Sequence, residues 1–391
     1  MVTITGATGQ FVTLDMGANE AAGQILANAI SASLRAGSSV FVSSPNAQQT
    51  ANGVFVQGTA NTSSAVSAVN TGVVLTSGGA NSVAASGSPN QQVLIDDGST
   101  VFNARGGSGQ IITGNGNNVI GVQGGFNVLT GTGNDAIFAF GNNTVNAGGG
   151  TNVIATGNGN DTITLAGTTD VVFGNGAGTI AVTGGAGQAF LAPGTENLNF
   201  VGGAGGATVF AGSGSDTVSL GAGGGLVYGG SGGNNVLVGG FASAGSTLFG
   251  GGNGDVLSAR GFAQTTLVAG GGNETLTGSI STANNIFYGF RGNALLQGGN
   301  GADTFVVGGG NSTVDGGPGQ DLIAIVAGAS GTVAITGFNA AEKVTLQNYG
   351  AGELQRALGT ASVGANTTLT LSDNTRVTFV GVTNLTSSSF I

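Results

Sequence analysis

The side chains able to do chemistry in this chain are nearly all carboxylates. Twelve Asp and five Glu stand against six Arg, the single Lys343, and no His or Cys. Without His and Cys there can be no Cys/His zinc site, haem ligation, iron–sulfur cluster, His-dependent triad or thiol chemistry. Paired carboxylates can still cleave a glycosidic bond, and parallel β-helices host such enzymes. Most of the acids here, however, share one context: a glycine-rich stretch, the acid, then a large apolar residue two positions on. A repeated turn accounts for them without catalysis. The exceptions, Asp96, Asp97, Glu196, Asp315, Glu342 and Glu353, show no evident partner, and beyond 20 Phe there are three Tyr and no Trp to stack a sugar. The expectation is that the protein is not an enzyme.

The elements that place those acids follow from a period of nine. Large apolar residues recur at Ile120, Leu129 and Phe138; Ile154, Ile163 and Val172; Val218, Val227 and Val236; Leu248 and Leu257; Leu267 and Leu276; Ile286 and Leu295; Phe305, Val314 and Ile323, with slips between runs. About two residues earlier stands an Asp, Asn or Glu: Asn118, Asn127, Asp135, Asn152, Asp161, Asp170, Asp216, Asn234, Asp255, Glu274, Asn284, Asn293, Asp303 and Asp321. Such a unit reads as a short strand after a tight turn, whose positive φ angles glycine supplies. One unit cannot cover its own apolar face, so neighbours must stack into a continuous core. With two units per coil of 18 residues, the fold class is all-β: a parallel β-roll or β-solenoid with Gly/Asn-rich turns, one N-terminal helix and a small C-terminal β-rich region. The 81 Gly in 391 residues do not signal disorder, because 40% of the chain is hydrophobic and 6% charged, the reverse of a disordered composition. Four Pro and no strict G-X-Y period exclude collagen.

The units resemble the RTX (hemolysin-type) nonapeptide, G-G-x-G-x-D-x-U-x. Gly298-Gly299-Asn300-Gly301-Ala302-Asp303-Thr304-Phe305 and Gly316-Gly317-Pro318-Gly319-Gln320-Asp321-Leu322-Ile323 match in full; the units at Asp135, Asp161 and Asp216 lack the first Gly. The resemblance covers roughly residues 110–325, with Asn replacing Asp at about half the key positions. It implies Ca²⁺ held between turns stacked on one edge by Asp carboxylates and loop carbonyls, an oxygen-only set that suits this hard cation. Same-edge turns lie two units apart. Asp303 and Asp321, with Gly299, Gly301, Gly317 and Gly319, have that spacing of 18; Asp255 and Glu274 are 19 apart. Asn152 with Asp170, and Asp216 with Asn234, offer one carboxylate each. Asp135 and Asp161 complete the candidate ligands. The alternative is that Asn and Asp serve as turn formers and as hydrogen-bonded ladders between coils without metal.

Three regions follow: 1–110, a cap or assembly region; 111–326, the RTX-like roll; and 327–391, a C-terminal β-rich region. Asn19 to Ala36 reads as a helix capped by Asn19, with Gly37 past its end. Val40–Val42, Gly53–Val56 and Val73–Leu75 read as irregular early coils without the calcium turn. Gly350 to Leu358 reads as a short helix, and Thr368–Leu371 with Arg376–Phe379 as a hairpin around Asp373-Asn374. No N-terminal export signal and no run of about 18 apolar residues opens or crosses the sequence. The tail Leu385-Thr386-Ser387-Ser388-Ser389-Phe390-Ile391 is similar to the C-terminal secretion region of RTX proteins, which implies passage through an ABC-type exporter. A net charge of −10 excludes nucleic acid as a partner. The function expected is that of a secreted bacterial structural protein. It would self-assemble outside the cell as a fibre, matrix or surface layer, partly stabilised by Ca²⁺. The alternatives are a monomeric calcium-dependent adhesin or module for cell-surface polysaccharide and, further off, an enzyme acting on polysaccharide.

Overall fold

Alternating burial along short strands, with a glycine turn after each, folds this chain into parallel β-solenoid. The computed structural model describes residues 1–42, 53–57, 63–67, 70–76, 81–241, 244–328 and 330–391. Two units emerge, Met1–Glu196 and Asn197–Ile391.

In the first unit, one sheet runs in parallel through Ser39–Val42, Gly53–Gln57, Asn70–Leu75, Gln91–Ile95, Ser108–Thr113, Gly125–Leu129, Thr144–Ala147, Gly159–Leu165 and Gly178–Thr183. The second sheet takes the intervening strands, from Ser63–Val66 to Gln188–Ala192. Successive coils superpose one inward residue on the next. Val93, Ile111, Val128, Val145, Ile163 and Val182 form such a column in the first sheet, and Phe102, Ile120, Ile137, Ile154, Val172 and Leu191 in the second, all buried. Burying each such side chain stabilises the coil by ~1.5–3 kcal/mol.

The second unit repeats the plan. Its first sheet runs from Asn197–Val201 to Thr332–Thr336 and on to Arg376–Phe379, and its second from Ala207–Phe210 to Lys343–Gln347, all parallel. At the C-terminal end the ladder turns antiparallel. Thr367–Thr370 pairs with Arg376–Phe379, the expected hairpin, and Asn374 takes the left-handed φ of 69° there.

The parallel pairing extends beyond 111–326 on both sides. The segments read as irregular early coils pair in parallel from Ser39 onward, with a register shift between Gly53 and Val54. They lack Asp because other side chains fill the inward polar position, among them Asn81, Gln91 and Thr100, all buried.

Helix α1 (Glu20–Arg35) lies on the outer face of the first sheet rather than over an open end. Its Leu26, Ala27, Ile30 and Leu34 pack with Val54, Val74, Leu94 and Ile112 and with Val2, Ile4 and Leu14 of an N-terminal hairpin, Val2–Thr5 with Phe11–Leu14. Asn19 holds the N-cap position but makes no side-chain cap; its amide donates instead to the Thr113 carbonyl at 2.9 Å, tying the helix to the sheet. The second helix, α2, is Glu353–Gly359. No described helix is long and apolar enough to cross a membrane.

Candidate cation site in the buried carboxyl columns

The acids of the repeat point inward at the turn, and almost every one is buried. Their geometry is a ladder. In the first unit, Asn118, Asp135, Asn152 and Asp170 occupy one register column of the second sheet. The Thr100 N–H donates to Asn118 Oδ1 (3.2 Å), Asn118 N–H to Asp135 Oδ1 (2.8 Å), Asp135 N–H to Asn152 Oδ1 (3.0 Å) and Asn152 N–H to Asp170 Oδ1 (3.2 Å). Each side chain therefore satisfies a backbone donor of the preceding coil, which would otherwise be buried unpaired at a cost of about 1–3 kcal/mol. Asn amides add a second bond to the carboxyl beneath, Asn152 Nδ2 to Asp170 Oδ1 at 2.8 Å. Asn143 and Asp161 repeat the motif on the first sheet.

In the second unit the same ladder ends in adjacent carboxyls. On the first sheet the column is Asp216, Asn235, Asp255 and Glu274; on the second it is Thr265, Asn285, Asp303, Asp321 and Glu342. Asn285 N–H donates to Asp303 Oδ1 (2.6 Å) and Asp303 N–H to Asp321 Oδ1 (2.8 Å). Asp303 and Asp321 thus stack on one edge, as their spacing implies. Asp303 has both oxygens engaged, since Oδ2 accepts the Gly299 N–H at 2.7 Å. Asp321 does not: its Oδ2 is buried with no partner. That oxygen and Glu342 Oε1 border one small space beside Gly316, where a Cβ would stand 2.6 and 2.5 Å from them. Burial pushes Asp321 up to about 6, and the charges of Asp303 and Asp315 push the same way, against the Asp303 N–H bond. Burial likewise raises Glu342 to about 7, with Asp321 and Asp315 adding to it. Glu274, beneath Asp255, is raised to about 7 by burial and then by the Asp255 charge; its Oε1 is also buried and unpartnered.

The remaining candidates fall into place around these. Burial raises Asp135, Asp170, Asp216 and Asp303, and lifts Asp161 to about 6. Oδ2 of Asp135, Asp161 and Asp216 is buried and unpartnered, whereas Asp170 Oδ2 accepts the Gly167 N–H and Asp255 Oδ2 the Gly251 N–H. Gly301 and Gly319 let consecutive turns touch: any Cβ on Gly319 would overlap the Gly301 carbonyl, and any on Gly301 the Ala283 carbonyl. Gly317 takes a φ of +78°. Asp216 pairs with Asn235, not Asn234, and Asp303 with Asn285, not Asn284. In each Asn doublet the second residue turns inward and the first stays exposed, accepting or shaping the outer turn. Glu342, which looked solitary, stacks on Asp321, and the charge of Asp315 acts on both. Glu353 is paired with Arg356 at 2.6 Å, and Glu196 accepts the Thr156 hydroxyl at 3.0 Å.

The donors around Asp321 are all oxygen, as Ca²⁺ requires. Among the described residues no set of three or more acidic side chains is already gathered for a metal. The fit therefore rests on two converging carboxylates, Asp321 and Glu342, the first of which has a buried oxygen without a partner. Fold and site together define a parallel β-solenoid protein with buried carboxyl–amide columns. No protein-family model matches the chain, and no curated protein matches it.

Proposed function

We propose that this is a secreted bacterial structural protein that associates with copies of itself outside the cell, in a fibre, matrix or surface layer. The observation that carries the reading is an outward apolar face on the second sheet of each unit. In the first unit Phe138, Val153 and Phe173 are 42%, 40% and 45% exposed, and Phe138 and Phe173 alternate along one column with Gly121, Ala155 and Ala192. In the second unit Phe210, Tyr228 and Phe249 stack ring on ring at 4.9 and 4.8 Å. Contiguous apolar surface of this kind marks association sites, and a chain with 24 charged residues among 391 has little charge repulsion to oppose it. In this reading an ABC-type exporter delivers the chain, and Ca²⁺ at Asp321 and Glu342 closes the C-terminal coils outside the cell.

Sedimentation velocity and negative-stain electron microscopy of the full chain, in CaCl₂ and in chelator, test it. Assemblies are expected for the native sequence, and a monomer for Phe138→Asp/Phe173→Asp or Phe210→Asp/Phe249→Asp. A native chain that stays monomeric under both conditions contradicts the reading.

A further inference from the structure

The outer face of the first sheet in Met1–Glu196 has the opposite character. One outward column begins with Val56, Val74, Leu94, Ile112 and Leu129, the stretch that α1 covers, and continues as Asn146, Thr164 and Thr183. The neighbouring column is polar from Gln92 onward: Gln92, Gln110, Asn127, Thr144 and Thr162. Between that column and the side of α1 runs a groove. One stretch, of ≈ 500 Å³, lies between Ile25 and Ala29 of the helix and Gln92, Gln110, Asn127 and Thr144 of the sheet. A second stretch, of ≈ 360 Å³, continues it past Ala22 to Asn146 and Thr164. The two stretches share Ile25, Gln110, Asn127 and Thr144 and so lie side by side along the helix.

Three properties of the groove select a ligand. No charged side chain lines either stretch. The amides of Gln92, Gln110 and Asn127 make no hydrogen bond to any described residue. Ile25, 73% exposed, forms an apolar wall opposite them. The free amides stand out against the Asn273, Asn293 and Asn311 row of the second unit, which stands one position before the buried Glu274. There Asn293 Nδ2 donates to Asn273 Oδ1 at 2.7 Å and Asn311 Nδ2 to Asn293 Oδ1 at 2.9 Å, so each amide is used by the next. In the groove the same side-chain type, at the same coil spacing of ~4.8 Å, leaves its donors and acceptors open. An amide offers both functions at once, and a row of them beside an apolar wall suits a polymer that repeats hydroxyl groups and C–H faces.

We propose that this groove binds a neutral, hydroxyl-rich polysaccharide laid along the coil axis, with Gln92, Gln110, Asn127 and Thr144 bonding its hydroxyls and Ile25 covering a sugar face. A polyanionic chain is disfavoured, because the groove supplies no cation and the protein carries a net charge of −10. The inference concerns a different face from the one assigned to self-association and does not depend on it.

Affinity electrophoresis of the full chain through gels containing hydroxyethylcellulose, pullulan or alginate tests it. Retardation by at least one neutral polymer is expected. Gln110→Ala/Asn127→Ala should weaken it roughly tenfold or more, as the loss of two hydrogen bonds implies, and Ile25→Glu should weaken it as well. Asn293→Ala/Asn311→Ala should leave it unchanged. Circular dichroism melts confirm that the exposed substitutions keep the fold. Retardation by alginate alone, no retardation by either neutral polymer, or retardation that survives both groove variants overturns the proposal.

Discussion

In Met1–Glu196 the buried polar column of the second sheet reads Asn118, Asp135, Asn152, Asp170; in Asn197–Ile391 it reads Asn285, Asp303, Asp321, Glu342. Rungs are ~4.8 Å apart, so alternation in the first column keeps carboxyls roughly 10 Å from one another with an amide donor between. In the second, three carboxyls follow on successive rungs. Both ladders do the same structural work, satisfying the inward N–H of the coil before. Only the second gathers like charges in a buried place, where they must be neutralised by a proton or a cation. Both columns are hydrogen-bonded ladders, and the second also stacks carboxyls on successive rungs.

The largest expected effect probes what the units share. Asp170→Ala and Asp303→Ala each strip an acceptor from buried donors: Asn152 and Gly167 in one case, Asn285 and Gly299 in the other. Each should lower stability by about 2–4 kcal/mol, read as the loss of hydrogen-exchange protection in the flanking coils. A silent Asp170→Ala would break the ladder account for the first unit.

A smaller effect probes the difference. Burial and like charges raise Asp321 to about 6 and Glu342 to about 7. The folded state then holds protons more tightly than the unfolded chain. Their contribution to stability is complete below the ordinary carboxylate range near pH 4 and is lost as pH rises through 6 to 7. In chelator, protection of residues 303–347 should therefore fall between pH 4.5 and 7.5 by more than that of the 118–170 column, with Glu342→Gln blunting the fall. Asn118→Asp, which places carboxyls on adjacent rungs with Asp135, should bring the same dependence into the first unit. Equal pH profiles in both regions would remove the distinction.

Much of this was legible in the sequence. The nine-residue period, the glycine turns and the Asp or Asn before each anchor were enough to specify a parallel solenoid and to stack Asp303 on Asp321. Phase was not legible where the pattern is degenerate. At Val128-Leu129, Ile137-Phe138, Val236-Leu237, Ile286-Phe287 and Leu295-Leu296 both members are apolar, so alternation cannot say which faces inward, and a shift of one residue exchanges the faces. The structure buries Val128, Ile137, Leu237, Phe287 and Leu296 and turns Phe138, Val236 and Leu295 outward. The Asn234-Asn235 and Asn284-Asn285 doublets have the same ambiguity. Glu342 was left without a partner because Asn339 to Glu342 lacks the glycine signature, although it stands 21 residues after Asp321, close to one coil. The coils before Ala104 were legible as coils without the calcium turn, because Asn, Gln and Thr hold the position that Asp takes later.

The central claim is that adjacent buried carboxyls at Asp321 and Glu342 form a cation site that the alternating column of the first unit does not. Calorimetric titration of the full chain with CaCl₂ at pH 7.5 tests it most directly, repeated on Asp321→Asn/Glu342→Gln and on Asp135→Asn/Asp170→Asn. The account predicts saturable binding that the first pair reduces and the second leaves intact. No binding to the native chain, or binding that survives the first pair undiminished, would contradict it.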